Sequence, residues 1–334
     1  MKDTMKIAVI GASVRFPYAE ELRDLDRIYS NKMDCIHDIT PKRIRLNGLD
    51  ENTAYTQFGY LENLDEFDYG FFNISRTEAI CIDPQQRICL ELACKAIESA
   101  GYCLSSVAGT NTAVFVGGGK STYDKLYDDD TGFAATGEMA DAMAGRISYM
   151  LDLHGEAMVC STACSSSMYA TYDACTKLLA GSCDAALVGG VLLYFDVMKQ
   201  SDVTEDAGTI GLAAPDGRCK TFDDRADGIN LCEGAGFVFL KRYEDAKEDG
   251  DNILAVITAA GSNQDGGRSN SFTAPSITAQ TEIFTRVWER WGIDPMTIGY
   301  YEAHGTGTKI GDPIEIASIT EAYKGYTDKK QFCP

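Results

Sequence analysis

A chain of 334 residues, 45% of them hydrophobic, can build one large domain or two fused halves around a sizeable core. Its formal charge of −20, from 30 basic and 50 acidic residues, argues against binding to phosphate backbones and reads as a solubility feature. The 12 cysteines are scattered with no CxxC pair, and only 3 histidines accompany them, which argues against a disulfide framework and against a zinc site. No bound cofactor or metal is expected. Met1 to Met5 leads straight into a strand pattern, with no signal peptide and no apolar run long enough to cross a membrane, so thiols in a reducing cytoplasm are expected.

In chain order, Ile7 to Gly11 reads as a short buried strand. The following Gly11-Ala-Ser-Val-Arg-Phe16 lacks the GxGxxG of a dinucleotide site. Glu20 to Ser30 predicts a helix with Leu22, Leu25 and Ile28 on one face, and Asn31 to Gln57 a polar surface excursion. Gly59 to Ser75 carries Phe67, Tyr69, Phe71 and Phe72. Asp83-Pro84 is an N-cap followed by a first-turn proline, and it opens a helix to about Ala100, with Leu90, Ala93, Cys94 and Ile97 on its apolar face. Thr112 to Gly119 predicts a strand running into glycines, Asp124 to Asp130 an acidic surface loop, and Thr136 to Tyr149 a helix.

The apolar run Ala157 to Cys160 predicts a strand, followed by Ser161-Thr-Ala-Cys-Ser-Ser-Ser167 and a helix from about Ser166 to Leu179. Met168, Tyr172, Cys175 and Leu179 supply its expected apolar face, Gly181 its end, and Asp184 to Gly190 the next buried strand. Cys164 is therefore expected at a strand-to-helix turn, where unpaired N–H groups and the helix dipole favour a thiolate and can hold an oxyanion. A turn at Pro215-Asp216-Gly217 follows, then a strand at Phe237 to Lys241 and a charged segment at Arg242 to Asp251. Beyond it, Ile253 to Ala260 is expected to begin a second strand–helix series, with a helix at Ala279 to Trp291, a strand at Ile298 to Ala303, the His304-Gly-Thr-Gly-Thr308 turn and a capped helix from Gly311. Repeated strand–helix order predicts a layered α/β fold divided into residues 5–250 and 251–334.

With STACSSS, DPQQR at Asp83 to Arg87, AGRISY at Ala144 to Tyr149, DGINLCEGAG at Asp227 to Gly236 and HGTGT in order, the sequence resembles the β-ketoacyl synthases of modular polyketide and fatty acid synthases. Ser161 stands where that family usually has aspartate, and Cys232 where it usually has glycine. The resemblance implies a thiolase-like fold, two similar halves in an αβαβα arrangement with the second half incomplete. It implies Cys164 as the acyl-carrying nucleophile and His304 as one of two histidines that promote decarboxylation of the extender. Thr306 and Thr308, two apart and so on one face of an extended segment, resemble the threonines that bind the phosphopantetheine arm. Glu315 matches a glutamate that pairs with a catalytic lysine; as a bare residue it reads equally well as a first-turn glutamate favoured by the helix dipole.

The family continues with SVKxNIGH and GFGGxN, which supply that lysine, the second histidine and part of the oxyanion hole. Neither occurs here, and Lys329 and Lys330 do not match that lysine. Three expectations follow: a partial sequence, a ketosynthase split over two chains, or a remnant that no longer condenses. The activity implied is 3-oxoacyl-[acyl-carrier-protein] synthesis, with acyl carrier protein as partner, a homodimer as assembly, and no nucleic acid or membrane. A related acyl transfer without carbon–carbon bond formation is the first rival. A non-condensing partner or scaffold subunit is the second; Cys164 argues against it.

Overall fold

A computed structural model describes residues 5–126, 132–202, 213–269, 271 and 274–330. The acidic loop expected at Asp124 to Asp130 lies partly outside the described residues, as does the chain after 330. Two compact units are present. The larger joins Lys6–Lys199 to Cys232–Ile257, and the smaller joins Gln200–Leu231 to Thr258–Pro334. This differs from a division near residue 250. The described residues of segment 200–231 group with the later part of the chain, and residues 232–257 with the earlier part.

The larger unit is built on one six-stranded sheet, ordered β3-β2-β4-β5-β1-β6. Its strands are β1 Ile7–Arg15, β2 Thr112–Gly117, β3 Ala157–Cys160, β4 Ala185–Leu192, β5 Gly234–Arg242 and β6 Ala255–Ile257. Strands β3, β2 and β4 are parallel; β5 runs antiparallel to β4 and to β1, and β6 antiparallel to β1. Residues 255–257, expected to begin the second half, therefore form an edge of the first sheet, with Ile7 opposite Ile257 and Val9 opposite Ala255.

The core lies against the Pro84–Ser99 helix. Asp83 caps it, its carboxylate accepting the Gln85 amide, and proline at the first position costs no helical hydrogen bond. Ile88, Leu90, Leu92, Ala93 and Ile97 are buried against Val114, Val116, Leu187, Phe237 and Phe239. Each fully buried large aliphatic of that set contributes about 1.5–3 kcal/mol. The Ala142–Leu151 helix adds Met143, Ala144 and Ile147 to the same cluster.

The Ser166–Ala180 helix ends at Gly181 in the left-handed conformation, as its sequence predicts. Its buried face differs from expectation. Ala170, Ala174, Cys175 and Leu178 are buried, whereas Met168 is 71% and Leu179 40% exposed. Cys175 is buried as expected, and close approach to the sheet selects small residues at Ala170 and Ala174, with Leu178 the one large side chain inside.

In the smaller unit the Ile277–Trp291 and Gly311–Tyr323 helices pack through Trp288, Ala322 and Tyr323, with Phe284 and Ile298 against them. Ser276 caps the first of these by accepting the Ala279 amide. The strand expected at 298–303 is not formed. Among the described residues no neighbour pairs with it, and a strand is defined by its ladder partner. Tyr300 in this stretch is 67% exposed.

Candidate active site

In the larger unit the chain leaves β3 at Cys160, which stands level with Gly117 of β2. Ala163 then adopts φ +54°, a left-handed conformation costing about 1–3 kcal/mol in a residue with a side chain. A short 3-10 turn, Ala163–Ser165, carries Cys164 to the N-terminus of the 15-residue Ser166–Ala180 helix. The serines hold this turn locally. Ser166 Oγ accepts from Thr162 N at 2.9 Å and donates to the Ala163 carbonyl at 2.7 Å, and Ser165 Oγ donates to the Thr162 carbonyl at 2.8 Å. The helix start rests directly on the sheet. A Cβ at Gly117 would lie 2.5 Å from Ser167 N, so only glycine fits there. Cys164 itself is exposed.

Among the other thiols, burial pushes Cys94 and Cys175 up to about 12 and Cys183 to about 11, and raises Cys160 as well. Cys103 is exposed and is the counter-example. Hydrogen bonds from Ser105 and Ser106 lower its pKa.

DPQQR, to which sequence reasoning assigns no chemistry, braces the segments that follow β2 and β4. Gln85 is 2% exposed; its Nε2 donates to the Gly119 carbonyl at 2.9 Å and its Oε1 accepts from Leu193 N at 3.2 Å. One side chain thus joins the segments leaving β2 and β4. Its position inside a strongly capped helix was the available signal.

In the smaller unit the HGTGT turn is gripped from outside itself. Glu315 accepts the backbone amides of His304 at 2.7 Å and Gly305 at 2.9 Å. It is half-buried rather than exposed, and it fixes the turn that presents the histidine. Asp312, 4% exposed, accepts the Gly307 amide at 3.0 Å and that of Phe222 at 2.7 Å. From the other side Thr221 Oγ1 donates to the Gly305 carbonyl at 2.6 Å, and Gly228 N to the Gly307 carbonyl at 2.9 Å. Gly307 has φ +66°, and a Cβ there would lie 2.9 Å from Cys219 Sγ and from Lys220 N. Held this way, the His304 side chain is exposed. Thr306 and Thr308 bring their hydroxyls within 3.0 Å of each other, and Thr308 Oγ1 also accepts the Gly311 amide. The structure therefore places His304, Thr306 and Thr308 on one turn, with Glu315 of the following helix holding it, while Cys164 belongs to the other unit. Sequence reading missed Asp312 and the 219–228 segment; the Gly-Asp-Pro that starts the last helix was the signal for the first.

Family sequence models for the N-terminal and C-terminal domains of β-ketoacyl synthase match residues 4–246 and 254–334. The chain belongs to the β-ketoacyl synthase family. Polyketide synthase PksN of Bacillus subtilis is 38% identical over 332 residues, covering 97% of this chain and 6% of that protein. Polyketide synthase GfsA of Streptomyces halstedii is 40% identical over 324 residues, covering 94% of this chain and 4% of that one. This ketosynthase-family chain thus spans a small fraction of the curated relatives it matches. Among solved structures, the ketosynthase from module 6 of the bacillaene synthase of Bacillus subtilis 168 superposes with a TM-score of 0.85 at 38% identity, covering 98% of this chain and 56% of that one. Ketosynthase twelve of the bacillaene polyketide synthase of Bacillus amyloliquefaciens gives 0.87 at 32% identity, with 98% and 59% covered. The fold is the mixed α/β, thiolase-like fold of the ketosynthases.

Proposed function

We propose that this ketosynthase-family chain takes an acyl group onto Cys164 and works in decarboxylative condensation, as a 3-oxoacyl-[acyl-carrier-protein] synthase of polyketide assembly. The observation that carries the reading is Cys164 on a strained turn at the N-terminus of a 15-residue helix, in a chain of this family. The thiolate attacks the acyl carbonyl of a carrier thioester, the carrier thiol leaves, and amides of the turn hold the oxyanion. A malonyl-type extender then loses carbon dioxide. Its carbanion attacks the Cys164 thioester, a carbon–carbon bond forms, and the Cys164 thiolate departs. His304 donates to the enolate oxygen as the extender decarboxylates. The Thr306 and Thr308 hydroxyls bind the phosphopantetheine arm, and Glu315 positions His304 through its backbone amide. The family resemblance implies a second histidine and a lysine besides His304. The reading assigns them to a downstream region or to a second chain.

An acyl carrier protein is the partner, and a homodimer the assembly. Edge strand β3 with Met158 43% exposed, and Met168 and Leu179 on the helix that follows, support a second copy covering this apolar edge. The described cysteines are thiols, which supports a reducing cytoplasmic location. Among the described residues no helix is long and apolar enough to cross a membrane. The test is intact-mass detection of an acyl adduct on Cys164 after incubation with an acyl-carrier thioester, followed by malonyl-carrier and analysis for a β-ketoacyl product. An adduct that forms elsewhere, or equally on Cys164→Ala, defeats the reading.

A further inference from the structure

Arg43 lies in the stretch expected to be a polar surface excursion, yet it is fully buried and paired with fully buried Glu233 at 2.6 Å. Among the described residues, two of its nitrogens, Nε and Nη1, find no hydrogen-bond partner. A buried pair with unpaired atoms is poor evidence for stability, because apolar residues of the same volume often do as well. Its geometry suggests another purpose. Among the described residues, every side-chain hydrogen bond the network makes beyond itself, apart from one to Leu61, lands on the segment leaving β4. Glu233 Oε1 accepts Tyr194 N at 2.9 Å, Arg43 Nη2 donates to Tyr194 O at 3.3 Å, and Asn47 Nδ2 donates to Tyr194 O at 3.1 Å and to Phe195 O at 3.0 Å.

The strand register shows where Tyr194 stands. Cys160, Gly117 and Gly190 form one row across β3, β2 and β4. Cys164 and Tyr194 each follow that row by the same number of residues. Ser167 folds back onto Gly117 and Gly190, which carries the nucleophile turn over β4. Leu192 pairs with Gly234, so extending that antiparallel register sets Tyr194 opposite Cys232. Burial raises the pKa of the Tyr194 phenol, and Cys164 and Cys232 add to the rise.

We propose that the buried Arg43–Glu233–Asn47 network is a positioning device that fixes Tyr194 as a wall beside Cys164, and that the ring limits the bulk of the acyl group next to the thioester carbonyl. The substrate class follows: acyl groups unbranched near the carbonyl are taken, and branched or aryl ones are refused. The inference rests on Cys164 as the acyl carrier, but its test separates the two ideas. In the native chain, Cys164 is labelled with iodoacetamide and with the bulkier N-benzyliodoacetamide, and acylated with acetyl and 2-methylbutanoyl thioesters of N-acetylcysteamine. Rates are read at Cys164 by mass spectrometry. Tyr194→Ala keeps every backbone bond of the clamp and should raise the bulky-to-small ratio about tenfold in both assays, the scale of a steric pocket contact. Glu233→Gln and Arg43→Met, checked for folding by circular dichroism, should move the ratio the same way. A ratio within about twofold of the native chain in Tyr194→Ala overturns the wall. An unmoved ratio in folded Glu233→Gln overturns the clamp. If the alkylation ratio shifts while neither thioester acylates Cys164, the wall stands and the proposed function falls.

Discussion

The two candidate catalytic turns are held in opposite ways. Around Cys164 the restraints are local. Ser165 and Ser166 bond back to Thr162 and Ala163, and the neighbouring strand contributes a missing Cβ at Gly117. Around His304 the restraints come from elsewhere in the smaller unit, from Glu315 and Asp312 on the following helix and from Thr221 and Gly228 far back in sequence. A nucleophile on a self-supporting elbow keeps its geometry as long as its own strand and helix are folded. The histidine turn keeps its geometry only as long as three separate segments remain packed. Local sequence therefore encodes the first and not the second.

The largest effect that bears on this contrast is on chemistry. Cys164→Ala should abolish acyl loading while shifting stability by no more than about 0.5 kcal/mol, since the side chain is exposed. Loading by mass and melting by circular dichroism check both halves. Next comes thiol selectivity. With pKa values of about 12, Cys94 and Cys175 should be thiolate at pH 8 to only about one part in 10⁴. Cys164 and Cys103 should be alkylated first, with the buried pair silent until the chain unfolds. Raising the pH increases labelling of the buried thiols only as it approaches their raised pKa. Labelling of Cys175 ahead of Cys164 in folded protein would remove the basis for Cys164 as the reactive thiol.

A third pair of variants sets the turns against each other. Gly117→Ala forces a Cβ against Ser167 N and should cost about 1–3 kcal/mol while slowing alkylation of Cys164. Gly307→Ala meets Cys219 Sγ and a left-handed φ, and should cost about 1–3 kcal/mol without slowing that labelling. The smallest effect is expected of Glu315→Ala, about 1 kcal/mol for two lost amide acceptors that water can partly replace. Extender decarboxylation, measured as carbon dioxide release by the native chain, should fall more than loading does. Equal losses would show that the carboxylate does not act through His304.

What could be read from sequence follows the same division. The Asp83 cap, the strand–turn–helix around Cys164 and the glycine that closes its helix are short-range signals, and the structure has all of them. The inward face of that helix was legible only at Cys175. A stripe through Met168, Tyr172, Cys175 and Leu179 is apolar, but the close approach to the sheet, set by glycine in another strand, turns Ala170, Ala174, Cys175 and Leu178 inward instead. The pattern of residues 298–303 is that of a strand, yet pairing depends on a partner that composition cannot supply. Arg43 looked like a surface residue because its counter-charge, Glu233, lies 190 positions away. The thiolase-like fold followed from motifs taken together, whereas the supports of the His304 turn depend on contacts that no single motif contains.

Gln85 sets a rule of polarity rather than of size. Its amide faces a carbonyl with one end and an N–H with the other, and both partners are fixed. Glutamate has the same outline, but it would turn an oxygen toward the Gly119 carbonyl and replace an attraction with a repulsion in a site shut off from water. Deamidation of Gln85, a gain of one mass unit with no change of outline, would therefore remove the amide donor that holds the Gly119 carbonyl.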